Sequence, residues 1–144
     1  MSFDIAYLEN ADALEPDQIQ GFFVGWPNPP TLETHLRLLQ NSAEIVLAFD
    51  RETEQVIGFV SAITDGVLSA YIPLLEVLPA YQRRGIGGEL MRRMLARLDT
   101  FYMADLLCDA PLQPFYETVG MKPATGMQRR SYERQSGIVD SQKG

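Results

Sequence analysis

A chain of 144 residues that is 46% hydrophobic and 22% charged has the composition of one folded domain, since a single core serves about 100 to 200 residues and disordered chains are far less apolar. Its net charge of −7 repels a polyphosphate backbone and argues against nucleic acid as a primary partner. One cysteine, Cys108, and one histidine, His35, exclude an internal disulfide and a structural zinc site. No apolar run approaches the roughly 18 residues that cross a bilayer, and residues 1–4 carry no basic leader, so the chain reads as cytoplasmic with no membrane partner.

Residues 3–8 alternate loosely and are expected to form a first strand. A helical stretch over 15–24, opened by Pro16, is expected next. Residues 25–30 hold three prolines in four positions and can only be loop. Thr31 is placed to cap a helix that carries Leu32, Leu36 and Leu39 on one face and ends near Asn41. His35, beside that stripe, reads as a packed or surface histidine. Segments 44–49 and 55–64, rich in Val, Ile and Phe, form a hairpin through the polar turn 50–54. Asp65-Gly66 turns the chain into a third run, 67–78, completing an antiparallel meander. Pro73 inside that run removes a ladder hydrogen bond and implies a bulge or edge.

From Gly85 onward, Ile86, Leu90, Met91, Met94, Leu95 and Leu98 line one face of a helix. A buried strand is expected over 101–108, a short helix over 112–119 closed by Gly120, and a last strand over 126–132. One domain would then span 1–132, with a frayed tail over 133–144. The fold class is α/β (α+β), a mixed and mostly antiparallel sheet with flanking helices.

The chemistry concentrates where the third strand of the meander meets the helix. Residues 67–98 hold five arginines against two acids, inverting the overall balance and pointing to a small anionic ligand; Arg92, Arg93 and Arg97 taken alone read rather as a solvated helix face. In Gln82-Arg83-Arg84-Gly85-Ile86-Gly87-Gly88, the first N–H groups of the helix lack intrahelical acceptors and lie at its positive end, while the glycines allow close approach. A Gly-x-Gly-x-x-Gly fingerprint fails because position 90 is Leu, and no Lys-Ser/Thr follows as a P-loop requires.

The remaining pattern, Gln/Arg-x-x-Gly-x-Gly after Leu75-Glu76-Val77-Leu78-Pro79, resembles the pyrophosphate motif of the GNAT superfamily of N-acetyltransferases. A second block, from Asp109 through Leu112, Phe115, Tyr116 and Glu117 to Gly120-Met121, resembles that family's Asn-x-x-Ala-x-x-Phe-Tyr-Glu-x-x-Gly-Phe, with Asp109, Leu112 and Met121 as the departures. The likeness implies a splayed fourth strand, with the pantetheine arm of acetyl-coenzyme A paired along Leu75, Val77 and Leu78. It places the pyrophosphate on the backbone of Gln82, Arg83, Arg84, Gly85, Ile86, Gly87 and Gly88, with Asp109 also on the coenzyme side.

The same resemblance makes Tyr116 the general acid toward the leaving thiolate, and it implies direct transfer without an acyl-enzyme, leaving Cys108 to packing. The base is Glu76, which alternation sets opposite Leu75 and Val77, or Tyr71, or a water chain. Phe22, Phe23, Trp26 and Tyr71 read either as acceptor pocket or as core. The acceptor is a small-molecule amine, and the acidic composition suggests a cationic one. A non-catalytic acetyl-coenzyme A sensor and a protein N-acetyltransferase are the alternatives. Relatives that dimerise through sheet edges or C-terminal strands leave a homodimer open.

Overall fold

The apolar segments β2 (Glu44–Asp50), β3 (Gln55–Thr64) and β4 (Ser69–Val77) pair antiparallel in chain order, because each short turn between them returns the chain at once. The Asp65 carboxylate fixes the second of these turns by accepting from the N–H groups of Val67 (2.8 Å), Leu68 (2.8 Å) and Ser69 (3.2 Å). Those bonds hold its carboxyl down at about 2. β1 (Ile5–Leu8) joins β2 antiparallel and β5 (Met103–Asp105) joins β4 parallel, giving the order β1-β2-β3-β4-β5. The coordinates are a computed structural model, and they describe residues 3–138.

Helix α1 (Leu32–Asn41) covers one face of this sheet and α2 (Ile86–Arg97) the other. Thr31 caps α1 as expected, its Oγ1 accepting from Thr34 N at 3.1 Å. On the α2 side, Ile86, Leu90, Met91 and Met94 bury against Val46, Val60 and Ile72. On the α1 side, Leu39, Ile19 and Phe23 bury against Leu47 and Phe59. Each fully buried aliphatic or aromatic side chain contributes about 1.5–3 kcal/mol, so these two layers hold the sheet between them. Arg92, Arg93 and Arg97 prove to be a paired helix face: Arg93 Nε reaches Glu89 at 2.8 Å, Arg92 the same carboxylate at 3.5 Å, and Arg97 Nε reaches Glu44 at 2.6 Å.

Four expectations need correction. The helix over 15–24 reduces to a 3-10 turn, Pro16–Gln18, because Gly21, Phe23 and Gly25 take φ of 93°, 62° and 82°, which no right-handed helix permits. The buried strand over 101–108 shrinks to the three residues of β5, of which only Ala104 is partly covered. No strand forms over 126–132 among the described residues; the segment is irregular and exposed, with Met127 95% accessible. The tail from Glu133 lies partly outside the described residues. Within them, Tyr132–Arg134 makes a 3-10 turn, and Asn28 N donates to Gln135 Oε1 at 2.8 Å. The helix over 112–119 resolves into a 3-10 turn, Ala110–Leu112, followed by α3 (Gln113–Glu117), with Gly120 at φ 94° ending it as anticipated.

His35 is packed, at 2% exposure, among Phe22, Phe23 and Phe59, with its Nε2 unpartnered. Burial pushes it down from 6.5 to about 4. The unfolded chain therefore takes up this proton before the folded chain does as pH falls. Stability is lost from about pH 6.5 downward and the loss is complete near pH 4. A difference of that size is worth roughly 3 kcal/mol. Urea unfolding measured across this window should show the decline, and His35→Leu should flatten it relative to the parent.

Candidate active site

β4 is paired on both sides only as far as Tyr71, whose partner Asp105 is the last residue of β5. Beyond that point β3 remains on one side and, among the described residues, no strand pairs on the other. The cause lies in β4 itself: Ser61 opposes Leu74 and Ile63 opposes Tyr71, so Ala62 alone faces Ile72 and Pro73 across a bulge. A bulge bends its strand and sharpens its twist, and the missing N–H of Pro73 is tolerated there. β4 therefore splays from β5, as anticipated.

The peptide between Val77 and Leu78 sends its N–H to Ile57 O of β3 at 2.9 Å, so its carbonyl points to the open edge, where Gln82 Nε2 binds it at 2.9 Å. By strand alternation the N–H groups of Val77 and Leu75 also face that edge. Their side chains turn into the α2-side core. Leu78, Pro79 and Tyr81 then form a tight turn that feeds the glycine segment.

That segment is built to expose donors. Arg83 (φ 63°) and Gly85 (φ 81°) are both left-handed, and the first bond of α2 is Glu89 N to Gly85 O at 3.1 Å. The N–H groups of Ile86, Gly87 and Gly88 thus have no acceptor within the helix, and they sit at the positive end of its dipole. A side chain at Gly85 would enter open space, whereas one at Gly87 would lie 3.5 Å from Phe115 and 3.8 Å from Val77. Gly87 is therefore where α2, α3 and β4 close on one another, and Gly88 is covered by the Arg92 guanidinium. The Arg84 guanidinium rests 4.6 Å from the centre of the Phe3 ring, which packs at a tilt against Tyr81. The Tyr81 hydroxyl in turn donates to the buried Asp50 at 2.7 Å, and this bond is the main reason the Asp50 carboxyl lies below its ordinary value. The loop is tied to the sheet through that chain of contacts.

Where β4 and β5 part, a cavity of about 910 Å³ opens. Tyr71, Asp105, Cys108, Asp109 and Tyr116 line it, together with the irregular segment 121–130. Burial, with a smaller contribution from Cys108, pushes the Tyr116 hydroxyl up to about 12, so it holds its proton throughout the neutral range. Cys108 lies in the coil after β5 rather than in a buried strand, and it faces this cavity. Asp109 precedes the 3-10 turn Ala110–Leu112 and lines the same space.

A second cleft, of about 630 Å³, lies on the α1 side of the sheet and shares Tyr71 and Arg130 with the first. Trp26 forms one wall of it. Phe23 does not: it is buried in the α1-side core, against Trp26, His35 and Phe59. Glu76 lines neither cavity, although alternation does set it opposite Leu75 and Val77. Its carboxylate accepts from Phe23 N at 2.8 Å and from Val24 N at 3.4 Å. It clasps a left-handed residue whose carbonyl receives Trp26 N at 3.1 Å. Ser61, Arg130, Tyr132 and Gln135, which also line the cleft, were missed in sequence. A lone hydroxyl in the apolar run of β3 was the signal for Ser61. Nothing local marks the other three, which arrive from the far end of the chain.

Among the described residues no group of three or more His, Cys, Asp or Glu could hold a metal, and no helix is long and apolar enough to cross a membrane.

This fold, with a glycine-rich helix start beside a splayed strand, defines an acyltransferase class. The family model described as Acetyltransferase (GNAT) family matches residues 11–121. The chain belongs to that family, whose members normally use acetyl-coenzyme A as cosubstrate. Among solved structures it is similar to a candidate acetyltransferase from Deinococcus radiodurans R1, with 49% identity, 95% of each chain covered and a TM-score of 0.91. It is also similar to a GNAT-family acetyltransferase from Streptococcus pneumoniae TIGR4, at 28% identity, with 88% of this chain and 98% of that one covered and a TM-score of 0.71. A glucosamine-6-phosphate N-acetyltransferase from Arabidopsis thaliana shares the fold at 13% identity, with 88% and 97% covered and a TM-score of 0.65. A comparison with curated proteins finds no match.

The Glu76 clasp makes a measurable claim. Hydrogen bonds to a charged acceptor contribute about 1.5–3 kcal/mol, so Glu76→Ala should lower unfolding free energy by about 2 kcal/mol. It should also shift the emission of Trp26, the only tryptophan in the chain. Glu76→Gln, which keeps one acceptor oxygen, should lose less in both measurements.

Proposed function

We propose that the chain transfers the acetyl group of acetyl-coenzyme A to the amine of a small molecule by direct attack. The observation that carries this reading is the open β4 edge running straight into the unpaired N–H groups at the start of α2. An extended amide-bearing arm that ends in a pyrophosphate matches that run of donors in both shape and charge.

In this reading Leu75 and Val77 pair with the pantetheine arm, while Leu78, whose N–H and carbonyl already serve Ile57 and Tyr81, only borders it, and the backbone of Gln82, Arg83, Arg84, Gly85, Ile86, Gly87 and Gly88 takes the pyrophosphate. Asp109 borders the thioester end. A neutral amine entering from the α1 side past Trp26 and Tyr71 attacks the thioester carbonyl. The C–N bond forms and the C–S bond breaks. Tyr116 gives its proton to the departing sulfur and regains one from solvent, while the surplus proton on nitrogen passes to water in the cleft. The Val77 N–H on the open edge is available to the carbonyl oxygen as charge builds there. Glu76, first choice for the base on sequence grounds, is assigned a positioning role instead, because its carboxylate already serves two backbone donors. Phe23 likewise supports the cleft from behind Trp26 rather than lining it.

Acetyl-coenzyme A should raise the melting temperature of the protein, and Gly85→Val should abolish the rise, since a β-branched residue resists φ 81°. No rise with the unaltered chain would overturn the donor assignment. In a thiol-release assay, Tyr116→Phe should lower kcat on the order of 10²-fold, the low end for a general acid. The KM for acetyl-coenzyme A should stay unchanged. Undiminished turnover would remove Tyr116 from that role.

A further inference from the structure

The acidic composition suggests a cationic acceptor, yet the cleft that would receive it has the opposite character. Its floor is the β3–β4 pair, with Ser61 opposite Leu74 and Ile63 opposite Tyr71. Trp26 walls it, and Tyr132 and Arg130 close the rim. That rim is held in place from the proline loop, where Asn28 N donates to Gln135 Oε1 (2.8 Å) and Asn28 Nδ2 to Tyr132 O (3.1 Å).

Three features of the lining select among amines. Among the described residues, the charged side chains that line the cleft amount to one guanidinium, Arg130, and no carboxylate. A polyamine or multiply charged amino sugar would enter with its charges uncompensated, which burial penalises heavily, whereas a carboxylate would meet a planar partner suited to it. Next, Ser61 Oγ is buried at 1% exposure with no hydrogen-bond partner. A buried hydroxyl left unmet is costly, so a ligand that brings a polar atom to the floor is favoured over a purely apolar one. Finally, Trp26, Tyr71 and Tyr132 offer faces to an aromatic or branched apolar body, in a volume of about 630 Å³ that suits a small molecule. The same setting bears on the missing base. Apolar walls and a nearby cation both favour the neutral form of a bound amine, which is the form that attacks.

We infer that the acceptor is a compound of the α-amino-acid type: a primary amine beside a carboxylate on an aromatic or branched apolar body, with the carboxylate on Arg130 and a polar atom on Ser61. This assignment rests on the acetyl-transfer reading. The amine then lies near Tyr71, which with Arg130 borders both the cleft and the coenzyme-side cavity.

Trp26 reports on the cleft without any need for turnover. Its fluorescence should be titrated with three products: N-acetylphenylalanine, N-acetylphenethylamine (the same body without the carboxylate) and N-acetylspermidine. The expected result is that N-acetylphenylalanine binds roughly ten-fold or more tightly than the other two. Arg130→Ala should erase this margin while leaving the affinity for N-acetylphenethylamine in place, and Arg130→Lys should keep part of it. Equal binding of the first two, tighter binding of N-acetylspermidine, or a margin that survives Arg130→Ala would overturn the assignment. Thiol release with phenylalanine, phenethylamine and spermidine separates the two layers of the account. Release fastest with spermidine sinks the acceptor class and leaves acetyl transfer standing. A selective cleft with no release from any amine, in a protein that binds acetyl-coenzyme A, sinks acetyl transfer itself.

Discussion

The structure depends on one separation, that of β4 from β5 after Tyr71. Up to that residue β4 is an interior strand with a partner on each side, and beyond it one edge is open. Unpaired strand edges invite pairing with whatever extended chain is available. Here the open edge is short and leads directly to the left-handed loop before α2. Had β4 and β5 stayed zipped to Val77, its edge donors would be consumed by the sheet. The cavity between β4 and β5 and the cleft on the α1 side would then have no common border at Tyr71. The bulge at Ile72-Pro73 is therefore the feature from which both halves of the site follow.

Holding that geometry requires strain in two places, and each has a named restraint. Arg83 and Phe23 are non-glycine residues in the left-handed region, each costing about 1–3 kcal/mol. The Arg83 turn is braced through Arg84, Phe3, Tyr81 and Asp50, which join the loop to the end of β2. The Phe23 turn is braced by Glu76, whose register partner on β3 is Phe59, itself in the ring cluster with Phe23 and His35. A single strand thus supplies the open edge on one side and, through Glu76, the support for the Trp26 wall of the α1-side cleft.

The sequence was most informative where one local signal determined the outcome. The α1 stripe with its Thr31 cap, the β2–β4 meander, the α2 face and the glycine segment all followed from period, cap or turn chemistry. Pro73 correctly announced the bulge. Reading failed where several left-handed residues intervened, as at Gly21, Phe23 and Gly25, because a helical period over 15–24 says nothing of backbone sign. It failed again for 101–108, a largely apolar run that β4 pairs over only three residues, and for the polar segment 126–132, which has no partner strand among the described residues. In the site, backbone donors were legible because glycine and helix starts imply them. The role of Glu76 was not, since its partners Phe23 and Val24 lie more than fifty positions away. Nor was the arrival of Arg130 at the cleft, which depends on the path of an irregular segment.

The central claim, that the open β4 edge and the start of α2 form one continuous binding track, is tested most directly by backbone amide NMR during titration with acetyl-coenzyme A. The account predicts the largest shifts at the amides of Leu75, Val77 and residues 83–88, moving together with one affinity. Unmoved amides at these positions, with the shifts concentrated on another part of the sheet, would contradict it.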